Sequence, residues 1–517
     1  MATLLRTAPD LIDALAAAIG SDHVLTGDDD RRFAGTDCYR AGEIPVAVVR
    51  PGTVAELQAV VSACAAAGAA VTVRGGGASY TDGYIHSRPG GVTIDTVRLK
   101  AIAIDETNAV VTVEAGVTWA DLYEALKPRG LRTPFWGPFS GLAATIAGSM
   151  SQHSVSHGTG VSAESLVAIE VVTGTGDLLA TGGGAAFFRH FGPDLAGLFT
   201  GDCGALGVKA RVTLRLTRRQ PAFEAASFSF ADFDALHAAM RLVGLENVLE
   251  ENFALDATLQ QGQLGRQAGV GAKAEIAASV MKSASSVASG MKSLARMAIA
   301  GDRDLKAASY VAHWSVEGVD AADARARIAV VKRIAAAHGS EIANTVPTVV
   351  RGMPFAPLTN VLGPRGERWV PVHTLLPHDR VPAFHGALQA YWAANRVDLD
   401  AHGIVNGGMF MTVNSGFLYE PTFYWPDART IYHDRMAPAD HLAGLPAYPA
   451  NDAAAAAVDR LRTGVIAIMQ AHGGVHFQIG KTYPYLETRD AASVALLRAI
   501  KAALDPRGIL NLGALGL

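Results

Sequence analysis

Gly75-Gly76-Gly77-Ala78-Ser79 follows directly on an apolar run, Ala70 to Arg74, and is itself followed by Asp82-Gly83. Three successive glycines leave backbone N–H groups bare and let an anion approach with no Cβ in the way. A pyrophosphate is the natural guest; the competing reading is a flexible turn. The residues beyond (Tyr80, Thr81, Tyr84) begin no helical period, so this is not the G-x-G-x-x-G loop that opens a helix in nicotinamide-nucleotide folds. A second segment, Gly141 to Gly160 (GLAATIAGSMSQHSVSHGTG), is built from Gly, Ala, Ser and Thr and has no aliphatic stripe. It suits a close sleeve of hydroxyl and amide donors. A third, Gly201 to Arg211 (GDCGALGVKAR), leads into a strand and offers backbone contacts to a flat ring. Together the donor-rich segments fit a long ligand with phosphates at its middle.

These loops need elements to hold them. Ile44 to Arg50 reads as a buried strand ending at Pro51-Gly52, and Thr53 with Glu56 forms a capping-box pattern for a helix to Ala67. Gly68 stops that helix and Ala70 to Arg74 is the next strand. Further strands are predicted at Gly91–Thr96, Ala109–Glu114, Val167–Thr173 and Val208–Leu216, and Thr118 caps a helix with Asp121 in its first turn. Strands mixed with helices, without sustained βα alternation, predict an α+β fold. Beyond Arg219 aromatics appear (Phe223, Phe228, Phe230, Phe233) and helical spacing dominates. The expected division is therefore 1–220, then 221–455, then a C-terminal segment 456–517. Within the middle part, Lys273 to Gly301 is rich in Ala, Ser, Met and Lys. Val280, Val287, Met291 and Leu294 fall on one helical face, with Lys282, Lys292 and Arg296 elsewhere. An insertion helix packed on the second domain is expected; the sharper reading is a membrane-surface or partner-binding helix.

Bulk properties narrow the classes. A chain of 517 residues exceeds one ordinary core. A net charge of -4 argues against nucleic acid as a partner, which needs a basic face. No apolar run reaches the roughly 20 residues that span a bilayer. Asp10 and Asp13 interrupt the N-terminal apolar stretch, which favours a surface helix over a signal peptide. Cys38, Cys64 and Cys203 are too few and too scattered for a disulfide framework or a zinc site. A reducing, cytoplasmic location is expected, with contact at the inner membrane through residues 273–301 as the variant reading. A homo-oligomer is expected, and no metal.

The order RPGTVAEL, VRGGGASYTDG, VEAGVTW, GLAATIAGSMSQHSVSHGTG, VVTGTGDLL, GALGVKARVTL resembles the FAD-binding domain of the vanillyl-alcohol-oxidase and p-cresol-methylhydroxylase (PCMH) flavoprotein superfamily. The resemblance covers roughly residues 40–216 and 460–517. The closing LDPRGILNLG is similar to that superfamily's C-terminal signature, with Leu512 where proline is common. The resemblance implies a two-lobed PCMH-type FAD-binding domain, an α+β cap over the flavin ring, and a C-terminal segment returning to the cofactor. Arg74, Gly75, Gly76, Gly77, Ala78 and Ser79 would hold the pyrophosphate. Thr145, Gly148, Gly158 and Gly160 would line the FAD, Val208 would offer backbone contacts, and Asn511 would approach the ring. Pro51, Gly83, Pro138, Ser149, Ser151, Gly204 and Gly207 complete the implied cofactor site. Some members tether FAD through a histidine just after the glycine loop or a cysteine in the second loop. Ala78 and Ser79 occupy the first place, and no cysteine lies between Gly137 and Gly160, so non-covalent FAD is expected. A single link through a cap histidine, His402 or His433, stays open; His153 and His157 sit in the sleeve, His157 as a structural donor.

Flavin chemistry needs a substrate C–H aimed at flavin N5 and a group to take the accompanying proton. The candidate catalytic residues are Arg351, His373, Tyr424, His476, Lys481 and Tyr483. In one reading a CH–OH group of a hydroxy acid or alcohol is dehydrogenated, Arg351 or Lys481 pairing with a substrate carboxylate. The C-terminal GGVHFQIGKTYPYLE resembles the D-lactate and glycolate dehydrogenase branch in layout. That branch's metal-binding Gly-Asp-Gly-Asn-x-His and Glu-His-Gly runs are absent, which puts metal-assisted oxidation in doubt. In the second reading a para-substituted phenol is oxidised, with Tyr424, Tyr483 and Arg351 stabilising a phenolate. A flavin-binding protein without its own substrate chemistry is the non-enzymatic alternative. The partner is a small-molecule substrate, and the electron acceptor (oxygen, quinone or cytochrome) is left open.

Overall fold

In the computed structural model, which describes residues 8–156, 160–182, 188–260, 308–413 and 415–517, the strand–helix–strand unit read from residues 44–74 forms the heart of a four-stranded sheet. Its order is Val24–Leu25, Ala47–Val49, Val92–Asp95, Val71–Arg74, the last three parallel. The intervening helix, Val54–Ala67, starts where Thr53 accepts from the Glu56 N–H and stops at Gly68, whose φ of 69° is left-handed. The Glu56 carboxylate accepts from Gly52 N at 2.7 Å, one residue outside the cap. Leu57, Val60, Val61 and Cys64, at helical spacing, are fully buried against the sheet; burying each aliphatic stabilises the lobe by about 1.5–3 kcal/mol.

A second, antiparallel sheet follows the order Ile102–Asp105, Val110–Glu114, Val208–Arg215, Leu166–Val172, Leu178–Ala180. Helix Trp119–Leu126 carries a complete capping box between Thr118 and Asp121. One hydrophobic core runs through both sheets and includes Ile94, Trp119, Ile146, Met150 and Val212. This is the α+β, two-lobed arrangement that the sequence leads one to expect.

The cap is an eight-stranded antiparallel sheet. Its order is Ser340–Ile342, Ala222–Phe230, Tyr310–Gly318, Glu251–Asp256, Val405–Val413, Gly416–Trp425, Arg368–Pro371, with Thr374–Pro377 also paired to Gly416–Trp425. One face packs on helices Phe233–Leu245, Ala321–Ala335, Val381–Ala394 and Asp452–Ala471 around Phe228, Trp314, Phe384, Phe410 and Trp425. The opposite face, with Phe253, Leu255, Met411 and Leu418, meets Phe139, Val155 and Val161 of the first domain. The cap sheet thus lies over the second donor-rich loop.

The C-terminal segment serves both lobes. Helix Asp452–Ala471 joins the cap core, whereas Ile509 and Asn511 extend the first sheet through mutual bonds with Val71, each 2.8 Å. Residues 273–301 lie outside the described residues. Among the described residues no helix is long and apolar enough to cross a membrane, and all three cysteines are buried and free.

Candidate functional site

Strands Val71–Arg74 and Val92–Asp95 run parallel, and ligands in such sheets sit beyond the carboxyl ends of the strands. The glycine loop leaves the sheet at that end. It packs against the second loop so closely that a Cβ on Gly76 would fall onto the Ala143 carbonyl, and one on Gly75 onto the Thr145 hydroxyl. Gly77, at φ 71°, is left-handed, with the Arg74 guanidinium directly behind it. The glycines therefore answer first to loop-on-loop packing, and the anion-accessible amides are what that packing leaves in front.

What remains in front is a cleft of about 960 Å³. Gly75, Gly76, Gly77, Ala78, Ser79, Gly83, Pro138, Thr145, Gly148, Ser149, Ser151, Gly204, Gly207, Val208 and Asn511 line it, with Tyr84, Gln152, Cys203, Lys209 and Gln478, which the sequence reading did not single out. Among the described residues no carboxylate lines it, and Lys209 is ion-paired with Asp202 in a buried contact. Four of the implied residues lie elsewhere or outside the described residues. Pro51 is buried in the turn before Val54–Ala67. Arg74 turns its guanidinium away, 4.3 Å over the Phe33 ring and 3.3 Å from the Met436 sulfur. Gly160 backs onto Glu164. Gly158 lies outside the described residues, as does His157.

One end of the cleft is conformationally tense. His153, Cys203, Gln478 and Asn511 all have positive φ (55°, 52°, 48° and 40°) without being glycine. Such strain, of order 1–3 kcal/mol per residue, persists where the surroundings impose it and clusters at functional sites. Here the surroundings are five chain segments tied together. Cys203 N donates to Ser151 O at 2.9 Å and Gln478 N to Gln152 O at 2.6 Å. Gly480 N donates to the Cys203 sulfur at 3.2 Å. The Asn511 amide donates to the carbonyls of Gly83 and Cys203.

Lys481 belongs to this framework. Its ammonium donates to Asn511 Oδ1 at 2.6 Å and to the carbonyls of Ile85 and Asp82 at 2.9 and 3.1 Å. Burial lowers its pKa to about 8. With all three N–H bonds engaged, Lys481 is not the carboxylate partner expected of it; it holds Asn511.

Of the catalytic candidates, three come together. His373, fully buried, stacks on Phe477 with centroids 3.9 Å apart, and its backbone N–H donates to the Tyr483 hydroxyl at 2.9 Å. His476 stacks on Tyr483 at 4.1 Å with planes 9° apart. The His476 Nδ1 lies 2.9 Å from the His373 carbonyl. A carbonyl can only accept, so Nδ1 carries the proton. Burial also lowers the His476 pKa, which keeps the ring neutral and leaves Nε2 as a lone pair. That Nε2 is buried with no hydrogen-bond partner, and neither ring nitrogen of His373 completes a well-aligned bond, although Gln478 sits against that ring. Tyr80, just past the glycine loop, packs edge-on against Trp369 and His373 at 5.5 and 5.9 Å. Glu420, buried on the cap sheet beside Tyr80 and Tyr483, is pushed up to about 8 by burial.

Arg351 and Tyr424 stand apart. Arg351 is locked onto Glu317 at the far side of the cap, in a cluster where Arg132 bonds Glu250 at 2.8 Å and Glu317 at 3.0 Å. Glu317 and Glu420 lie on strands three apart in the sheet, hence roughly 14 Å apart across the strands and further still along them. Tyr424 shares a face with Glu420 but sits about 13 Å along the strand, its ring beside Gly363. His402 pairs with Asp398 at 3.4 Å and His433 caps Thr430, so neither lines the cleft. Tyr80 and Gln478 carried a readable signal, since each flanks a motif already chosen; Glu420 inside an aromatic strand carried none. Among the described residues no three His, Cys, Asp or Glu side chains converge to hold a metal.

The chain matches the model of the FAD binding domain over residues 45–182 and that of the C-terminal domain of FAD linked oxidases over 444–515. It thus carries an FAD binding domain and the C-terminal domain of FAD linked oxidases. Its relatives include an uncharacterized FAD-linked oxidoreductase of Mycobacterium tuberculosis, 31% identical over 230 residues (43% of this chain, 49% of the relative). They also include a mitochondrial D-lactate dehydrogenase [cytochrome] of Arabidopsis thaliana, 31% identical over 220 residues (40% of this chain, 37% of the relative). The matched region thus spans less than half of either relative. The solved structure of p-cresol methylhydroxylase with substrate bound is similar in fold, with a TM-score of 0.72 at 17% identity, covering 98% of this chain and 96% of that one.

Proposed function

We propose that the protein dehydrogenates a CH–OH group of a small organic substrate, with FAD seated in the glycine-lined cleft. The cleft suits the cofactor: it is amide-rich and, among the described residues, free of carboxylates. When bound, FAD supplies a ring that accepts a hydride. Non-covalent binding is favoured because Ala78 and Ser79 stand where some members carry the attaching histidine, no histidine lines the cleft among the described residues, and burial pushes the Cys203 thiol up to about 12, so it is a poor nucleophile.

The carrying observation is the His476 tautomer. Its Nδ1–H is committed to the His373 carbonyl, Tyr483 fixes the ring plane, and Nε2 presents an unshared lone pair. A substrate hydroxyl that donates to Nε2 can pass its proton there as the C–H is removed. Gln478, two residues on, lines the cofactor cleft, so the base stands beside it. A second reading has its own support: Tyr80 and Tyr483, buried around Glu420, form a hydroxyl pair of the kind a para-substituted phenol would need. In that reading Tyr80 takes the part expected of Tyr424.

Anaerobic bleaching of the flavin by a panel of hydroxy acids, simple alcohols and alkylphenols separates the readings. Hydroxy acids or alcohols are expected to reduce the flavin. Reduction by alkylphenols alone would overturn the CH–OH reading in favour of the second. Reduction by none would leave a flavin-binding protein without substrate chemistry. Reoxidation by air, a quinone or a cytochrome then identifies the class of electron acceptor.

A further inference from the structure

The fold leaves Glu420 without a partner. Along its strand Phe417, Tyr419 and Phe423 enter the helix-packed core of the cap, so Leu418, Glu420 and Thr422 take the other face, turned towards the first domain. Its register neighbour on one side, Met409, is apolar. On the other side the pairing is interrupted between Pro371 and Thr374, which sets Val372 and His373 opposite it. Glu420 is 9% exposed, and among the described residues no hydrogen bond or ion pair reaches its carboxyl. Tyr80 and Tyr483 stand beside it without bonding it.

A carboxyl buried in this way is tolerated when neutral, and burial raises the pKa of this one to about 8. No protein cation offsets it. Arg462, the buried guanidinium beside Tyr483, lies 4.3 Å over the Tyr39 ring and donates to the Tyr80 carbonyl and the Thr482 hydroxyl, each 3.3 Å away. Burial keeps His373 neutral, its pKa well below the usual imidazole range. The remaining surroundings are aromatic, with Tyr80 edge-on to Trp369 at 5.5 Å and Tyr483 stacked on His476. A carboxyl among aromatic rings is suited to an organic ammonium ion, which pairs with the acid and rests against the rings. The position also borders the cofactor cleft. Ser79 and Gln478 line that cleft; Tyr80 follows Ser79 directly, and its hydroxyl bonds the Gln478 side chain.

We infer that Glu420 is a specificity-determining residue, that the space beside it at the Gln478 end of the cleft takes a cationic amine, and that the alcohol dehydrogenated is an amino alcohol. This rests on the CH–OH reading and narrows it, because an anionic substrate is disfavoured against Glu420. Binding carries a proton signature: the ammonium draws Glu420 into its ionised form, and the carboxyl proton passes to the buffer.

The test uses three redox-inert probes of one shape, none with a hydrogen on the carbon that bears the polar group: tert-butylammonium, tert-butanol and pivalate. Each is titrated by calorimetry into the FAD-loaded protein at neutral pH, in two buffers of different ionisation heat. Wild type is expected to bind tert-butylammonium about 10-fold or more tightly than tert-butanol and to leave pivalate unbound. About one proton should be released per ammonium bound. Glu420→Gln, which matches the neutral acid in shape, should lose both the preference and the proton release, with FAD content and thermal midpoint unchanged. The wild-type comparison decides even where that variant fails to load FAD. No preference for the ammonium in wild type, binding of pivalate in its place, or an E420Q variant that keeps either signature overturns the assignment. In flavin reduction, ethanolamine is expected to bleach the flavin at lower concentration than ethanol, and the reverse order likewise overturns it. If tert-butylammonium binds as expected but no CH–OH compound reduces the flavin, the amine site stands and the dehydrogenase reading falls.

Discussion

His476 shows how one hydrogen bond sets a residue's chemistry. An exposed histidine exchanges tautomers freely; this one has its proton fixed on Nδ1 by the His373 carbonyl and its charge suppressed by burial. His476→Asn can keep the bond to that carbonyl while removing the Nε2 lone pair. Flavin reduction by a CH–OH substrate should then slow by about 10²–10⁴-fold, the usual worth of a general base, with FAD content unaltered. The pH profile gives an independent check. A base whose pKa is depressed stays unprotonated down through the ordinary imidazole range, so the rate is flat above about pH 6.5 and falls only at lower pH. In the Asn variant that acid limb should vanish. A limb that persists would assign the proton transfer to another group.

At the scale of elements, the cofactor cleft is made by two loops that require each other. The Gly75–Gly77 bend fits only because Ala143–Thr145 offers backbone at its back, and that stretch continues into the short helix capped by Thr145. Gly76→Val would drive its side chain into the Ala143 carbonyl, so the loops must part. The purified variant should be colourless, with flavin absorbance per mole of protein reduced by at least 10-fold and secondary structure by circular dichroism retained. Full flavin content would show that the cleft tolerates separated loops. The Lys481–Asn511 clamp works similarly, fastening the crossing segment and the C-terminus to residues 82–85 at the strained end.

For the whole molecule, the question is what holds the cap over the first domain. Apolar contact between Phe139, Val155 and the cap sheet supplies one part. The other is the buried charge cluster. Arg132, from the first domain, bonds Glu250 and Glu317 of the cap; Arg351 shares Glu317, and the Trp136 indole N–H reaches Glu250 at 3.1 Å. Removing one member of such a group leaves buried charge uncompensated, which costs about 3–5 kcal/mol. Arg132→Ala should therefore lower unfolding stability by about that amount in a urea titration, or split the transition in two as the cap loosens. A loss below about 1 kcal/mol would mean that the apolar contact alone fastens the domains.

The sequence by itself determined the local elements and the cofactor. Thr53, Gly68, Thr118 and the alternating strands are short-range signals, because caps and turns are satisfied within a few residues, and the observed bounds fall within a residue or two of those read from them apart from the first strand, which is shorter. The glycine loops were legible for the same reason: backbone conformation at a glycine is a local property. The tertiary structure decided which charged groups were still available for chemistry. Arg351 and Lys481 look alike in sequence, as cations beside apolar turns, yet one is ion-paired with Glu317 and the other has its three N–H bonds taken by Asn511 and two backbone carbonyls. Whether an ionisable side chain binds substrate or holds the fold depends on partners tens to hundreds of residues away, and only the packed chain brings those partners within reach.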